Sequence, residues 1–176
     1  MISVLIPVYN YDIISLVGEL HRQLIELKIE FEIICWDDAS KNIFQKSNQK
    51  IEIREKVTYR SSKKNLGRNS TRQLLAETAK FDWLLFLDAD VLPKSNLFIK
   101  TYLKFVEPDY SAVYGGICYD KQNPSSEFAL RWTYGSMKEV VKAKTRNKKP
   151  YKHTVSANFL IYKPIFLKLN SKIEQS

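Results

Sequence analysis

The hydrophobic residues of this chain fall into short continuous runs that alternate with segments of helical periodicity. Three runs are almost wholly apolar: ISVLIPVY (2–9), FEIICW (31–36) and WLLFL (83–87). Short apolar runs rich in β-branched and aromatic residues are typical of buried strands. Three further strands are predicted in KVTYR (56–60), SAVYGGICY (111–119) and HTVSANFLIYK (153–163).

Two intervening segments carry the periodicity of amphipathic helices. In the first, apolar residues recur at three- and four-residue steps, at Ile13, Leu16, Val17, Leu20, Leu24 and Leu27. Asn10 or Asp12 is placed to cap that helix. In the second, Gly67 predicts a tight turn, and Ser70 with Gln73 matches a capping box. The inner face of this second helix is predicted at Leu74, Leu75, Thr78 and Phe81.

The repeated order strand, helix, strand predicts an α/β fold with a mainly parallel central sheet. Parallel strands that are covered on both faces are continuously apolar, which accounts for residues 83–87. Ligands bind such sheets beyond the carboxyl ends of the strands. Three polar clusters stand at those ends: Tyr9-Asn10, Asp37-Asp38 and Asp88-Ala89-Asp90.

The D-x-D triplet of Asp88 and Asp90 indicates a cation site. Side chains two residues apart at a strand end lie on the same side, so the two carboxylates repel each other unless a cation compensates. Mg²⁺ or Mn²⁺ prefers carboxylate and phosphate oxygens. Because the protein offers only two ligands here, the ion would keep coordination positions open for a diphosphate. Alternatively the pair only caps a loop. The second Asp pair, at another strand end, favours the metal site.

Composition indicates one domain with an uneven charge. The chain has 176 residues, is 44% hydrophobic and carries a net charge of +9. Residues 1–120 contain 16 basic and 16 acidic side chains, whereas residues 121–176 contain 12 and 3. The densest basic part is KEVVKAKTRNKKPYKH (138–153). Such a segment either attracts an anionic partner or forms a solvated surface.

Neither a transmembrane run nor a signal peptide is apparent, so we expect a cytoplasmic location. The two cysteines, Cys35 and Cys118, lie far apart in apolar surroundings and lack metal-ligand spacing. Both are predicted to be buried thiols in a reducing compartment.

Several motifs in order resemble the family 2 glycosyltransferases, which have the GT-A fold. They are SVLIPVYN, DDAS, NLGR with a following arginine, LLFLDADV, VYGGICY and SANFLIYKPIF, and together they cover the chain from Ile2 to Phe166. The resemblance implies a Rossmann-like three-layer sandwich that takes a sugar from a nucleotide donor, with a UDP-sugar favoured. It further implies a single domain with a donor-binding half (1–120) and the start of an acceptor-side half (121–176), in a protein of polysaccharide biosynthesis.

The resemblance also assigns roles to residues at the nucleoside end of the donor. By position, Pro7 and Tyr9 would line the nucleoside pocket. Asp38 matches the aspartate that hydrogen-bonds the base, and Asp37 beside it is a weaker match.

A second group of matches lies at the diphosphate end. Arg72 matches the arginine that approaches the donor, although Gln73 replaces the asparagine that follows it in many relatives. Asp88 would contact the ribose or support the metal, Ala89 would line the site, and Asp90 would bind the Mg²⁺ or Mn²⁺ that bridges the phosphates. A metal acting as a Lewis acid stabilises the leaving diphosphate.

The catalytic base is not assigned, because the family's acidic motif is expected beyond Ser176. Transfer with inversion requires a base, and Glu174 is the only acid near the expected place. We therefore expect either a truncated form of a longer enzyme or a naturally short protein, and in both cases donor binding with poor transfer. A degenerate donor-binding module without transfer activity is the alternative.

The acceptor is expected to be a saccharide or a lipid-linked saccharide. Trp132, Tyr134 and Tyr151 suit sugar rings, and the basic residues 138–152 suit phosphates or an anionic membrane at its inner face. The alternative is a helix with core aromatic residues and solvated lysines. A nucleotidyltransferase is disfavoured because no Gly-rich loop follows the first strand, and a nucleic-acid partner is disfavoured because the strand ends are acidic.

Overall fold

A computed structural model describes residues 1–107, 109–119 and 125–170. The strands in these ranges are β1 (Ile2–Val8), β2 (Phe31–Asp37), β3 (Val57–Ser61), β4 (Trp83–Leu87), β5 (Ala112–Tyr114) and β6 (Asn158–Tyr162). The helices are α1 (Ile14–Glu26), α2 (Asn42–Asn48), α3 (Arg68–Thr78), α4 (Phe98–Leu103), α5 (Ser126–Lys138), α6 (Ala143–Arg146) and α7 (Lys163–Asn170). Short 3-10 turns occupy Gln49–Ile53 and Pro150–Lys152. Glu174 lies outside the described residues.

The strands form one sheet in the order β3-β2-β1-β4-β6-β5. The first four are mutually parallel, whereas β6 runs antiparallel to β4 and β5 runs antiparallel to β6. The predicted α/β fold with a mainly parallel sheet is therefore confirmed. The two antiparallel strands are shorter than predicted, since only Ala112–Tyr114 and Asn158–Tyr162 pair.

Two apolar clusters lie on opposite faces of the sheet and make the fold three-layered. Val4 and Ile6 of β1 pack with the buried face of α1 and with α4, whereas Leu5 packs with α3. This alternation follows from the two-residue period of a strand. Helix α7 packs beside α3 on the second face. Strand β4 is buried from Leu84 to Leu87, which confirms that it is covered on both faces, as predicted.

Helix α1 has the predicted apolar face. Its buried residues include Leu16, Val17, Leu20 and Leu24. The Oδ1 atom of Asp12 accepts a hydrogen bond from the N–H of Ile14, the first helical residue, at 3.0 Å. Asp12 thus satisfies one of the N–H groups that the first turn of a helix leaves without a helical partner.

Helix α3 begins three residues earlier than the predicted capping box required. Its N-cap is Gly67, whose φ of 85° suits glycine, and the helix starts at Arg68. Ser70 therefore lies inside the first turn, and the capping-box prediction is wrong. The buried face is also shifted: it consists of Thr71, Arg72, Leu75 and Ala76, whereas Leu74 and Thr78 are half-buried.

The two cysteines differ in their environment. Cys35 on β2 is fully buried, as predicted, and burial raises the pKa of its thiol. Cys118 is exposed, so its predicted burial is wrong. It follows the short strand β5, at a point where the chain has already left the sheet. Within the described residues, every helix is too short or too polar to cross a lipid bilayer.

Candidate functional site

A cleft of about 380 Å³ opens at the carboxyl ends of β1, β2 and β4. Its lining comes from separate parts of the sequence: Pro7, Val8, Tyr9, Tyr11, Asp38, Asn65, Gly67, Arg68, Thr71, Asp88, Ala89 and Asp90. Six of the eight residues predicted from the sequence are thus brought together. Asp37 and Arg72 do not line the cleft. Parallel strands with their carboxyl ends at one edge produce this convergence.

The segment after β1 is fixed against the loop after β2. The N–H of Asn10 donates to Oγ of Ser40 at 2.7 Å, and Oδ1 of Asn10 accepts from the N–H of Lys41 at 2.8 Å. Asn10 has a φ of 51°, which asparagine tolerates better than most residues. Tyr9, just before this turn, remains 56% exposed at the cleft.

Asp38 holds the loop that precedes α3. Its Oδ1 and Oδ2 atoms accept hydrogen bonds from the N–H groups of Leu66 and Gly67, at 2.7 and 2.8 Å. Its own N–H donates to the carbonyl of Val8 at 2.8 Å. A carboxylate offers about four acceptor positions. Asp38 therefore retains acceptor capacity toward the cleft that it lines.

Asp37 lies beneath the loop rather than at the cleft. Its side chain is fully buried. Oδ1 accepts from the N–H of Ser40 at 2.6 Å, and Oδ2 accepts from the hydroxyl of Tyr59 at 2.6 Å. Burial, followed by this hydrogen bond to Asp37, raises the pKa of Tyr59. The contacts of Asp37 are those of a residue that supports the loop.

Asp88 is held between two arginines of α3. Nη2 of Arg72 donates to Oδ1 at 2.8 Å, and Nη2 of Arg68 donates to Oδ2. The N–H of Asp88 donates to the carbonyl of Ala157 at 2.9 Å. Both carboxylate oxygens of Asp88 are therefore in ion pairs with arginine.

Arg72 is enclosed behind this carboxylate. Its side chain is 10% exposed and also donates to the carbonyl of Ser156 at 2.7 Å. Its guanidinium lies 5.9 Å from the ring centroid of Phe86 and 5.4 Å from that of Phe159. Burial, and then the nearby charge of Arg68, lower the pKa of Arg72. Arg72 thus positions Asp88 without lining the cleft itself.

Asp90 is the acid that stays open. It is exposed at the cleft and makes no hydrogen bond or ion pair with the described residues. Among those residues, no three His, Cys, Asp or Glu side chains gather as a metal site. A cation here would therefore take its remaining ligands from a bound anion and from water.

Sequence reasoning missed Arg68, although it stands in the quoted NLGR motif. Arg68 and Arg72 are four residues apart, a spacing that puts two side chains on the same helix face. That spacing was the available signal. The contact of Arg68 with Oγ of Ser156, at 3.2 Å, joins segments 88 residues apart and left no local trace in the sequence.

The sequence matches the family described as Glycosyl transferase family 2 over residues 3–168, and the chain belongs to that family. A protein of Haemophilus influenzae, described as an uncharacterized glycosyltransferase, is 32% identical over 96 residues. That match covers 51% of this chain and 29% of the relative.

Solved structures show that the fold is GT-A. The mannosyltransferase PcManGT of Pyrobaculum calidifontis, in complex with GDP-Man and Mn²⁺, superposes with a TM-score of 0.64 at 14% identity, over 96% of this chain and 46% of that one. TarS 1-349 of S. aureus superposes with a TM-score of 0.62 at 21% identity, over 97% of this chain and 49% of that one. Glucosyl-3-phosphoglycerate synthase of Mycobacterium tuberculosis was solved in complex with Mn²⁺, UDP and glucosyl-3-phosphoglycerate. It superposes with a TM-score of 0.58 at 13% identity, over 93% of this chain and 57% of that one. The chain spans about half the length of these structures.

Proposed function

We propose that the cleft binds a nucleoside-diphosphate sugar and that the protein transfers the sugar to a saccharide or lipid-linked acceptor. The observation that carries the proposal is that three acids with different environments line one cleft at the carboxyl edge of the sheet. They are Asp38, Asp88 and Asp90. Family membership supports the reaction class. Two of the three similar enzymes have been solved with uridine nucleotides, which favours a UDP-sugar.

The nucleoside would occupy the part of the cleft between the segments after β1 and β2. Pro7 and Tyr9 supply apolar and aromatic surface there, and Asp38 supplies an acceptor for a base N–H. Asp37 acts indirectly, because its bonds to Ser40 and Tyr59 hold the loop that carries Asp38. Removing Asp37 would therefore loosen the pocket rather than delete a ligand contact.

The chemistry of the site fits a Mg²⁺ or Mn²⁺ ion held mainly by Asp90. Both oxygens of Asp88 are paired with arginine, whereas Asp90 has an open carboxylate. Mg²⁺ is commonly bound by one or two carboxylates together with substrate phosphates and water. When bound, such an ion supplies charge neutralisation for the leaving diphosphate. Asp88 would be a second ligand only through the acceptor positions that its two arginines leave open.

We further propose that transfer inverts the sugar configuration and that the base is none of the cleft acids. The acids that line the cleft among the described residues are Asp38, Asp88 and Asp90. Asp38 binds the N–H groups of a loop, Asp88 pairs with two arginines, and Asp90 would bind the proposed cation. We therefore assign the acceptor's proton to a group outside this set.

A thermal-shift screen tests donor binding. UDP-, GDP- and CDP-sugars are compared with and without Mn²⁺, and the true donor should raise the melting temperature, more so with Mn²⁺, because binding to the folded state stabilises it. No shift with any donor would contradict the proposal. A shift without hydrolysis or transfer would favour the alternative, a donor-binding module.

We also propose that the protein is cytoplasmic and contacts the inner membrane face peripherally through residues 138–152 and helix α5. Six lysines of that segment are exposed, at positions 138, 142, 144, 148, 149 and 152. Leu130, Tyr134 and Met137 of α5 are 83%, 58% and 74% exposed and lie on one helix face. Exposed apolar side chains beside lysines are typical of helices that lie on anionic membranes.

A further inference from the structure

Arg68 differs from Arg72 in exposure although both pair with Asp88. The Arg68 side chain is 52% exposed and lines the cleft, whereas that of Arg72 is 10% exposed and does not. They hold opposite oxygens of the carboxylate. If Arg68 moved away, Asp88 would keep its ion pair with Arg72.

The cluster formed by Arg68, Arg72 and Asp88 carries one excess positive charge. Two guanidinium groups share the single carboxylate of Asp88, and Asp90 makes no ion pair within the described residues. The two cations act on each other, since the charge of Arg68 contributes to the lowered pKa of Arg72. An anion that enters the cleft beside Arg68 would relieve this repulsion.

Arg68 also has hydrogen-bonding capacity to spare. Its Nη2 atom contacts Asp88 and Ser156, while Nη1 and Nε make no hydrogen bond with the described residues. Guanidinium groups carry five N–H donors in a planar fork that matches phosphate oxygens. Arg68 is the first residue of α3, whose N-cap Gly67 provides no side-chain cap. The positive end of the helix therefore adds to the attraction for an anion.

We propose that Arg68 is a diphosphate-binding residue that exchanges Asp88 for the distal phosphate of the nucleotide. This inference rests on the proposed function. A half-exposed arginine–carboxylate pair contributes little, whereas a diphosphate offers more charge and bidentate hydrogen bonds. Arg68 turns from Asp88 to the phosphate, Arg72 keeps Asp88 in position, and Arg68 then neutralises negative charge on the leaving group.

The competing interpretation is that Arg68 only orients Asp88. The two interpretations differ in which part of the nucleotide is affected by substitution. A lost contact with the distal phosphate weakens diphosphate binding with and without Mn²⁺ and spares the monophosphate. A misplaced Asp88 instead weakens diphosphates and monophosphates alike, or removes only the Mn²⁺-dependent part of diphosphate binding. Binding of UDP and GDP is measured by calorimetry with and without Mn²⁺, and binding of UMP and GMP by ligand-observed NMR, which reaches millimolar Kd values.

We expect Arg68→Ala to weaken binding of the preferred diphosphate by about 10- to 100-fold, the range of a charged hydrogen bond. The affinity for the corresponding monophosphate should change by less than about threefold, a difference in binding free energy below about 1 kcal/mol. Arg68→Lys keeps the charge and should lose less. Arg22→Ala is the matched control, because Arg22 is also half-exposed (43%) and paired with carboxylates, those of Glu19 and Glu26.

Ligand-free melting temperatures establish that the variants fold, and Arg68→Lys gives the comparison if Arg68→Ala does not. Equal losses for diphosphate and monophosphate, a diphosphate loss confined to samples with Mn²⁺, or no loss of diphosphate binding would overturn the inference while leaving the donor site intact. Failure of the unaltered chain to bind either UDP or GDP would instead overturn the proposed function and this inference with it.

Discussion

Four aspartates near the cleft have the same side chain and different roles, set by what each carboxylate contacts. Asp37 is buried and bonded to Ser40 and Tyr59, and Asp38 binds two loop N–H groups. Asp88 is shared by two arginines, while Asp90 is open. Availability to a ligand therefore rises from Asp37 to Asp90.

Asp90→Ala is expected to abolish the part of UDP or GDP binding that depends on Mn²⁺. Asp90 is the open carboxylate of the site, so its loss leaves the cation with ligands from the nucleotide and from water. Calorimetry with and without Mn²⁺ measures the effect. Asp82→Ala is the control, because Asp82 is exposed at the opposite end of β4. Unchanged Mn²⁺ dependence in Asp90→Ala would contradict the metal assignment.

Tyr59→Phe is expected to lower the free energy of unfolding by about 1–3 kcal/mol, because it leaves a buried oxygen of Asp37 without its donor. Urea denaturation measures it, with the exposed Tyr151→Phe as the control. The folded pKa of Tyr59 is raised, so its contribution is complete below the unfolded pKa of about 10 and is lost as pH rises above it. The difference between Tyr59→Phe and the unaltered protein should therefore shrink between about pH 9 and 11. A constant difference across that interval would contradict this role.

The sequence located most of the candidate site because its residues directly follow strands. Tyr9, Asp38 and Asp90 were placed by that rule, and all three line the cleft, whereas Pro7, inside β1, was placed by the family resemblance. It did not predict that Asp88 is paired with Arg68, since such a contact depends on how α3 docks on the sheet. Whether these residues bind a donor stays a prediction.

At the scale of elements, the sequence signals were strongest for β1, β2, β4 and α1, which are uniformly apolar or strictly periodic. They were weakest for β5 and β6, where predicted strands of nine and eleven residues reduce to three and five. Close packing after β5 explains part of this difference. A Cβ on Gly115 would lie 1.5 Å from Oδ1 of Asn158, so the chain there approaches β6 too closely for a side chain.

Gly115→Ala is therefore expected to destabilise the protein by about 1–3 kcal/mol, the usual range for overpacking a filled interior. The added methyl group displaces Asn158, whose buried side chain accepts from the hydroxyl of Tyr102 at 2.6 Å. Thermal or urea denaturation measures the loss. Gly18→Ala in α1 is the control, because its Cβ would meet only Nη2 of Arg54, at 3.4 Å. If Gly115→Ala were as stable as the unaltered protein, the close packing at Gly115 would be contradicted.

At the scale of the whole molecule, the charges are divided along the chain. The strands that form the cleft belong to residues 1–120, in which basic and acidic side chains balance, whereas the later residues carry the excess. The assignment of these parts to donor and acceptor stays a prediction. The apolar face of α5 was not anticipated as an exposed surface: Tyr134 was expected either to bind sugar or to join a core, and it is 58% exposed.

Binding to vesicles that contain anionic phosphatidylglycerol tests the proposed membrane contact. The protein should sediment with them at low salt and be released as salt screens the lysines. Replacing Leu130 and Met137 together by serine should weaken binding by about tenfold or more, since inserted apolar groups contribute to affinity. Ile43 and Ile53, which are 73% and 89% exposed, provide a matched double serine control. Equal binding to neutral phosphatidylcholine vesicles would contradict an electrostatic contact.

The reversed direction of β6 has a consequence for the whole architecture. Strand β6 pairs with β4 so that Asn158, its first residue, stands opposite Leu87, the last residue of β4. The long excursion between β5 and β6 therefore both departs and returns at the ligand edge of the sheet, and its last turn reaches Arg72 through Ser156. Such a layout is modular: changes in residues 125–157 leave the pairing of the parallel strands untouched, because none of these residues takes part in it.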